Sequence, residues 1–157
     1  MSTPAKVDDK KFIKEAAMGG IAEVELGKIA EQKASSDQVK QFAQKMVTDH
    51  TKVNDQLKQI ASQANVTIPD QLGKKFQSRI EKLNKLSGAD FDKAYIKDQL
   101  KDHKEDVSAF QSESQNGTIP TVQQFASQTL PTLEQHLELA KNLNKSEKKT
   151  TASNGTK

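Results

Sequence analysis

The spacing of the apolar residues constrains the fold more than any other feature of this sequence. It is most regular between residues 39 and 60, where apolar side chains recur at intervals of three and four. That spacing places them on one face of an α-helix. These residues are Val39, Phe42, Ala43, Met46, Val53, Leu57 and Ile60. Strand-favouring runs are absent, and helix-forming Ala, Leu, Lys, Gln and Glu dominate. The sequence therefore predicts an all-α protein.

The same pattern occurs in three further long stretches and in one short stretch. It predicts long helices over about residues 9–34, 37–64, 90–115 and 119–144, and a short helix over 71–86. Tight turns join the first long helix to the second and the third to the fourth. About 25 residues, which include the short helix, separate the second from the third. This spacing is typical of an antiparallel four-helix bundle with one long crossover. We find no convincing internal repeat in the sequence.

The two ends of the chain differ from the predicted bundle. Residues 1–8 and 146–157 are polar and lack the apolar pattern, so we expect a disordered leader and a disordered tail around one domain at 9–145. No run approaches the roughly 18 apolar residues of a membrane helix. The first ten residues lack the apolar centre of a signal peptide. An exported protein whose signal has been removed and a cytoplasmic protein both fit these observations.

The charge balance and the missing cysteine limit the partners. The chain has 24 basic and 21 acidic residues, spread along its length, for a net charge of +3. Such a surface is mixed and carries no stripe for nucleic acid. The absence of cysteine excludes disulfides and thiolate metal sites. A metal ion held by nitrogen and oxygen is the partner that the residues indicate, and the sequence leaves both a monomer and a homodimer open.

Each long helix places one polar side chain inside its apolar face. These side chains are Glu23, His50, His103 and His136, and the sequence has only these three histidines. At about 1.5 Å per residue, all four lie near mid-height of a bundle about 38 Å tall. Three imidazoles and a carboxylate at one level supply the ligands that Zn, Cu, Ni or Fe accept. We therefore predict a metal site formed by these four residues.

Three other acids are candidates for additional ligands or for bonds to the ligands. Asp106 follows His103 by one helical turn, and Asp49 precedes His50 directly. Glu25 is the third, although at 100° per residue it points roughly opposite to Glu23. A second interpretation of the histidines stands beside the metal site. A histidine on an apolar helix face is commonly a core residue bonded to a carbonyl or to an acid such as Glu23.

Three blocks of the sequence resemble a known family. They are AEVELGKIAEQKASSDQVKQFAQKMVTDHTKVNDQLKQIA at 22–61, LSGADFDKAYIKDQLKDH at 86–103 and FASQTLPTLEQHLELA at 125–140. With them, the chain from about residue 8 to 145 resembles the domain-of-unknown-function family numbered 4142. The resemblance implies a ferritin-like four-helix bundle and a periplasmic or otherwise exported protein, with no assigned activity. Unlike di-iron ferritins, the chain lacks Glu-x-x-His pairs and carries His103-x-x-Asp106 instead, which disfavours oxygen-activating di-iron chemistry.

Three functions are consistent with these observations. The first is a non-catalytic bundle that holds one divalent transition metal, for metal buffering, for stabilisation or in an envelope stress response. Zinc is favoured over copper or iron because no redox machinery is visible. The second is a ferritin-like oxidase or peroxidase with two metals, for which Asp106 and Glu25 would have to complete a second position. The third is a structural or interaction module whose histidines bond within the core. The sequence favours the first, and a protein that is not an enzyme.

Overall fold

The computed structural model describes residues 7–69 and 71–154, with side chains described through Lys148. This part of the chain forms five α-helices and no strand. The helices are α1 (Asp9–Lys33), α2 (Asp37–Gln63), α3 (Lys74–Asn84), α4 (Gly88–Asn116) and α5 (Pro120–Asn154). The predicted all-α class is confirmed, as is the ferritin-like bundle of four long helices with a short helix in its crossover.

The bundle is built from two helical hairpins, α1 with α2 and α4 with α5. The helices of each hairpin pack along their length, and the hairpins meet where α1 contacts α4 and α2 contacts α5. The start of α1 lies beside the end of α4, and the start of α4 lies beside the end of α1. All neighbouring long helices are therefore antiparallel. A glycine at Gly20 permits the close approach of α1 to α2, because a Cβ there would overlap the Asn54 side chain.

Two apolar clusters fill the interior, and a polar layer separates them. The first cluster lies towards the α1–α2 turn and includes Phe42, Met46 and Tyr95. The second lies towards the α4–α5 turn and includes Phe12, Leu57 and Phe110. Along each long helix, the polar residue predicted for the interior falls between members of the two clusters. The predicted common level at mid-height follows from this arrangement.

Two buried aspartates fasten the hairpins to each other, one at each end of the bundle. Asp9 of α1 accepts hydrogen bonds from the backbone N–H groups of Thr118 and Ile119, at 3.0 and 2.7 Å, in the α4–α5 turn. Asp92 of α4 accepts hydrogen bonds from the backbone N–H groups of Ser35 and Ser36, both at 2.9 Å, in the α1–α2 turn. Each carboxylate thus caps free N–H groups at the start of a helix in the opposite hairpin. We call these contacts the Asp9 latch and the Asp92 latch.

The latches reveal an internal repeat that the sequence analysis missed. When the two hairpins are matched at the constant spacing that relates Asp9 to Asp92, further buried residues coincide. The pairs are Phe12 with Tyr95, Ile13 with Ile96, Val39 with Val122, Phe42 with Phe125 and Ala43 with Ala126. The same spacing also matches exposed residues, namely Lys10 with Lys93, Lys14 with Lys97 and Gln32 with Gln115. Helical periodicity compares positions within one helix, so it does not detect a repeat between hairpins.

The short helix and the helix ends differ in detail from the prediction. α3 begins at Lys74 and not near residue 71, with Gly73 as its N-cap. α4 begins at Gly88, whose φ of +59° lies in the left-handed region that favours glycine. The sequence analysis placed a helix break there, because glycine is more common after a helix than at its first residue.

α5 continues about ten residues beyond its predicted end and passes through Pro131 and on to Asn154. It therefore includes most of the stretch that we expected to be a disordered tail. Of the expected disordered leader, residues 1–8, only Val7 and Asp8 lie within the described residues. Asp8 caps α1 by accepting hydrogen bonds from the backbone N–H groups of Lys10 and Lys11. Within the described residues, no helix combines the length and the apolar character that a membrane span requires.

Candidate metal centre

Three histidines from three helices meet in the polar layer between the apolar clusters. His50 comes from α2, His103 from α4 and His136 from α5, and each is at most 4% exposed. One ring nitrogen of each lies within 4.8 Å of those of the other two. The ring centroids are 5.2 to 5.6 Å apart. We call these residues the histidine site.

A backbone carbonyl determines which nitrogen of His103 carries the proton. Nδ1 of His103 lies 2.9 Å from the carbonyl oxygen of Gln99, one turn earlier in α4. A carbonyl only accepts hydrogen bonds, so Nδ1 must donate. In a neutral imidazole, Nε2 then carries a lone pair, and this nitrogen faces His136. Gln99 was not singled out from the sequence, because its role rests on its backbone and not on its side chain.

Asp49 determines the tautomer of His136 in the same way. Its Oδ2 lies 2.7 Å from Nε2 of His136, and Lys45 lies 3.1 Å from the same carboxylate. Burial alone would raise the pKa of Asp49, but the hydrogen bonds from His136 and Lys45 outweigh it and lower the pKa. The ionised carboxylate accepts the proton of Nε2, which leaves the lone pair on Nδ1. Asp49 thus binds the ring nitrogen of His136 that does not face His103, as carboxylates often do behind metal-binding histidines.

Two lone pairs therefore point at each other with no proton between them. Nε2 of His103 and Nδ1 of His136 are 3.3 Å apart. Nε2 of His50, beside them, has no hydrogen-bond partner and is buried. Two acceptors at hydrogen-bonding distance repel each other unless a cation lies between them. Tetrahedral zinc with Zn–N distances near 2.05 Å would separate two nitrogens by about 3.3 Å, which matches the observed distance.

The imidazoles are neutral at ordinary pH, which is the state that binds a metal. Burial, together with the neighbouring His103 and His136, lowers the pKa of His50 to about 3. Burial and His136 likewise lower the pKa of His103 to about 4. The pKa of His136 is also lowered by burial, although the hydrogen bond to Asp49 opposes that shift. A metal would therefore not have to displace protons from these rings at pH 7.

Glu23 is buried, as predicted, but it contacts a different set of residues. It is fully buried in α1, and its Oε1 lies 3.9 Å from Nη2 of Arg79. The group of ligand atoms within 4.8 Å of one another contains the histidines and does not include Glu23. Burial and the adjacent Asp102 raise the pKa of Glu23 well above its ordinary value, whereas the pKa of Asp102 is lowered. A proton on Glu23 is therefore shared with Asp102.

Arg79 organises this second polar group, which we call the arginine site. Its guanidinium donates to both oxygens of Asp98, at 2.9 and 2.6 Å, and to Asp102 at 3.3 Å. Burial alone would lower the pKa of Arg79, but Asp98 and Asp102 raise it. Arg79 is the only arginine in the sequence. A unique residue whose planar fork suits paired carboxylates was a signal that the sequence analysis did not use.

The remaining predicted residues have different surroundings. Asp106 is half-buried beside the arginine site, and burial and Asp102 raise its pKa well above its ordinary value. Glu25, which the sequence offered as an additional ligand, is not among the grouped ligand atoms of the histidine site. It lies on the surface, where its side chain is 49% exposed and pairs with Lys28 at 3.5 Å. The helical repeat explains this outcome, because two residues separate Glu25 from Glu23 by about 200° around α1.

Comparison with known proteins identifies relatives of this architecture. A family model described as "Domain of unknown function (DUF4142)" matches residues 1–143. The fold is similar to the crystal structure of a DUF305 protein from Streptomyces coelicolor, provisionally described as secreted. The two align with a TM-score of 0.74 and 14% sequence identity over 88% of this chain and 91% of that chain. At this identity the likeness concerns the fold alone. No curated protein in the comparison matches this sequence.

Proposed function

Because the chain belongs to the DUF4142 family, whose description names no activity, we propose a function from its histidine site. The protein is a non-catalytic metal-binding bundle that holds one divalent transition metal at mid-height. His50, His103 and His136 are the ligands. Its role is to buffer a metal ion or to be stabilised by one, in a bacterial envelope or its stress response.

A single observation carries this proposal: the lone pairs of His103 and His136 face each other at 3.3 Å, and His50 Nε2 is buried beside them without a partner. A core that only needed packing would leave no such repulsion, because one changed tautomer would turn the contact into a hydrogen bond. Here the Gln99 carbonyl and Asp49 hold both tautomers in the repulsive arrangement. A cation between the rings removes the repulsion.

The donor set favours zinc. Three neutral imidazoles without sulfur suit zinc, copper and iron, and copper binds such nitrogen sets more tightly by the usual affinity order. Zinc fits the tetrahedral separation of His103 and His136 and needs no change of oxidation state. To complete the site, His50 would have to move towards the other two rings. A fourth ligand would then come from water, because Glu23, which the sequence predicts as a ligand, is engaged with Arg79 and Asp102.

Burial of the site favours binding over catalysis. His103 is fully buried and His136 is 1% exposed, so a substrate would have little access to a metal between them. An enzyme with two metals would place a second ion about 3.5–4 Å from the first. The nearby carboxylates that would hold it, Glu23 and Asp102, are already occupied by Arg79 and a shared proton.

We also propose that the protein acts outside the cytoplasm. The fold is shared with a protein provisionally described as secreted, and the described helices include no membrane span. Because this chain has no cysteine, an oxidising compartment would leave its nitrogen and oxygen ligands unchanged. Fractionation of cells that express the full-length gene product tests the location. Recovery with the cytoplasmic marker would contradict it.

Metal analysis of the protein purified without chelator and without nickel resin tests the main proposal. We expect about one zinc per chain after equilibration with a zinc salt alone, and copper and iron salts are offered in separate equilibrations. At a free metal concentration of 100 Kd, the bound ion would stabilise the fold by about 2.7 kcal/mol. In a chain of this size, chelation should then lower the melting temperature by roughly 5–10 °C. Less than 0.2 metal per chain for every ion offered would refute the proposal.

Two conservative variants separate loss of the ligand from loss of the fold. His103→Asn keeps a donor near the position of Nδ1 for the Gln99 carbonyl and removes Nε2. His136→Gln keeps a donor for Asp49 and removes Nδ1. We expect either variant to lose at least 90% of the bound metal. Leu57→Ala, in the apolar cluster of α2, is the matched control, because it weakens the core and should keep full metal content.

A further inference from the structure

The Asp9 latch contains a second buried acid that the Asp92 latch lacks. Glu113 of α4 has no exposed surface, and neither of its side-chain oxygens has a donor as partner. Its carboxyl lies beside that of Asp9. At the matching position in the other hairpin the repeat has Ala30. Two buried acids therefore meet at the α4–α5 end of the bundle, whereas the acid near Asp92 at the α1–α2 end is the half-buried Glu147 of α5, whose pKa is raised by burial and by Asp92.

The hydrogen bonds of Asp9 determine which of the two acids is ionised. The backbone N–H groups of Thr118 and Ile119 and the Thr118 hydroxyl all donate to its two oxygens, at 2.7 to 3.1 Å. These donors require an ionised acceptor at Asp9. Glu113 can satisfy a buried oxygen only by keeping its own proton and donating it to Asp9. One proton between the two carboxyls therefore completes the latch.

We propose that Asp9 and Glu113 form a pH-sensitive latch. Below neutral pH the shared proton ties α1 to both α4 and the α4–α5 turn. When that proton is lost, two negative charges remain in a buried space, and this end of the bundle loosens. The bundle thus has a contact that depends on a shared proton at its α4–α5 end, whereas at its α1–α2 end Asp92 accepts hydrogen bonds from Ser35 and Ser36.

The charges around the pair support this direction. Burial, with the carboxylates of Asp9 and Asp8 in α1, raises the pKa of Glu113 to about 7. The α4–α5 turn contributes the backbone N–H groups of Thr118 and Ile119, which both donate to Asp9. Glu113 holds its proton more tightly in the folded state than in the unfolded state. Its stabilising effect is therefore complete below about pH 4.5 and is lost as the pH rises to about 7 and above.

Amide hydrogen exchange measured residue by residue tests this proposal, with the other latch as control in the same molecule. After correction for the intrinsic dependence on pH, protection of Thr118 and Ile119 should fall by up to about tenfold per pH unit between about pH 5 and about pH 7 and should level off above that. Protection of Ser35 and Ser36, which donate to Asp92, should stay level. Equal pH profiles at both latches would overturn the proposal.

Glu113→Gln supplies the matched variant. Its amide donates to Asp9 at every pH, so protection of Thr118 and Ile119 should no longer depend on pH. A fall in protection that persists in this variant would count against Glu113. If the variant failed to fold, NMR titration of the side-chain carboxyl of Glu113 in the unaltered protein would decide. A midpoint between about 6 and 8 supports the latch, and a midpoint below about 5 overturns it.

Discussion

The histidine site and the arginine site lie side by side in the same polar layer, yet their charges are balanced in opposite ways. At the arginine site, Glu23, Asp98 and Asp102 surround a cation that the chain itself provides. At the histidine site, two lone pairs meet beside the unpartnered Nε2 of His50, and the described side chains place no cation among them. The comparison indicates that a buried polar group tied to a fixed cation serves the fold. A group of buried nitrogen atoms that face one another without such a cation is the better candidate for a metal-binding site.

Acid should affect the histidine site most strongly. The pKa values of all three histidines are lowered in the folded state, so the unfolded chain takes up protons first as the pH falls below about 6.5. Because the folded-state pKa values of His50 and His103 are about 3 and about 4, stability of the metal-free protein should fall by about 1 kcal/mol per pH unit for each of these two histidines and by less for His136. Denaturant unfolding at pH 7 and pH 5, with chelator present, measures this loss.

His50→Leu sharpens the acid experiment. The repeat has Leu133 where the first hairpin has His50, so a leucine suits this position of the fold. The variant should unfold with one proton fewer taken up between pH 7 and pH 5. If the free energy of unfolding of the variant fell as steeply between pH 7 and pH 5 as that of the unaltered protein, His50 would already be protonated in the folded state.

Removal of the Arg79 guanidinium should have the next largest effect on stability. Arg79→Met leaves Asp98, Asp102 and Glu23 without their counter-charge, and the broken ion-pair network should cost about 3 kcal/mol. Unfolding by urea measures this cost, with the exposed Lys82→Met in the same helix as control. Metal binding at the histidine site should persist in Arg79→Met. Loss of both stability and metal binding in Arg79→Met would show that the arginine site and the histidine site depend on each other.

Glu23→Gln should have the smallest effect. Because Glu23 shares its proton with Asp102, an amide at this position replaces a group that is already neutral. We expect stability to change by less than about 0.5 kcal/mol. Zinc affinity, measured by competition with a chromophoric chelator, should stay within about threefold. A loss of tenfold or more would return Glu23 to the ligand set that the sequence predicts.

Helical periodicity accounts for the part of the site that could be predicted. It places His50, His103 and His136 on inward faces, and the rise per residue places them at one level. Both properties belong to single helices, and a bundle preserves them. The same argument correctly buries Glu23 and correctly gives Glu25 the opposite direction, although Glu25 was kept as a candidate ligand.

The contacts between separate elements could not be predicted in this way. Arg79 stands on the crossover helix, whose position is not determined by the period of the long helices, so its pairing with Glu23 was missed. Asp9 and Asp92 act on turns of the opposite hairpin, far away in sequence. Asp49 was ranked as a minor candidate because its edge position on α2 does not show that His136 lies within reach. Each of these contacts depends on how the hairpins dock.

The two latches also bear on domain swapping, in which two molecules exchange a hairpin. Each hairpin presents an aspartate to the other hairpin and receives one in return, so the two halves are joined like two copies of one small protein. Two chains that exchanged hairpins would form the same bonds, which is the situation that permits domain swapping. The crossover at 64–87 is the segment that would become the hinge. By joining α3 to Asp98 and Asp102 in the middle of α4, Arg79 directs the second hairpin back onto its own chain.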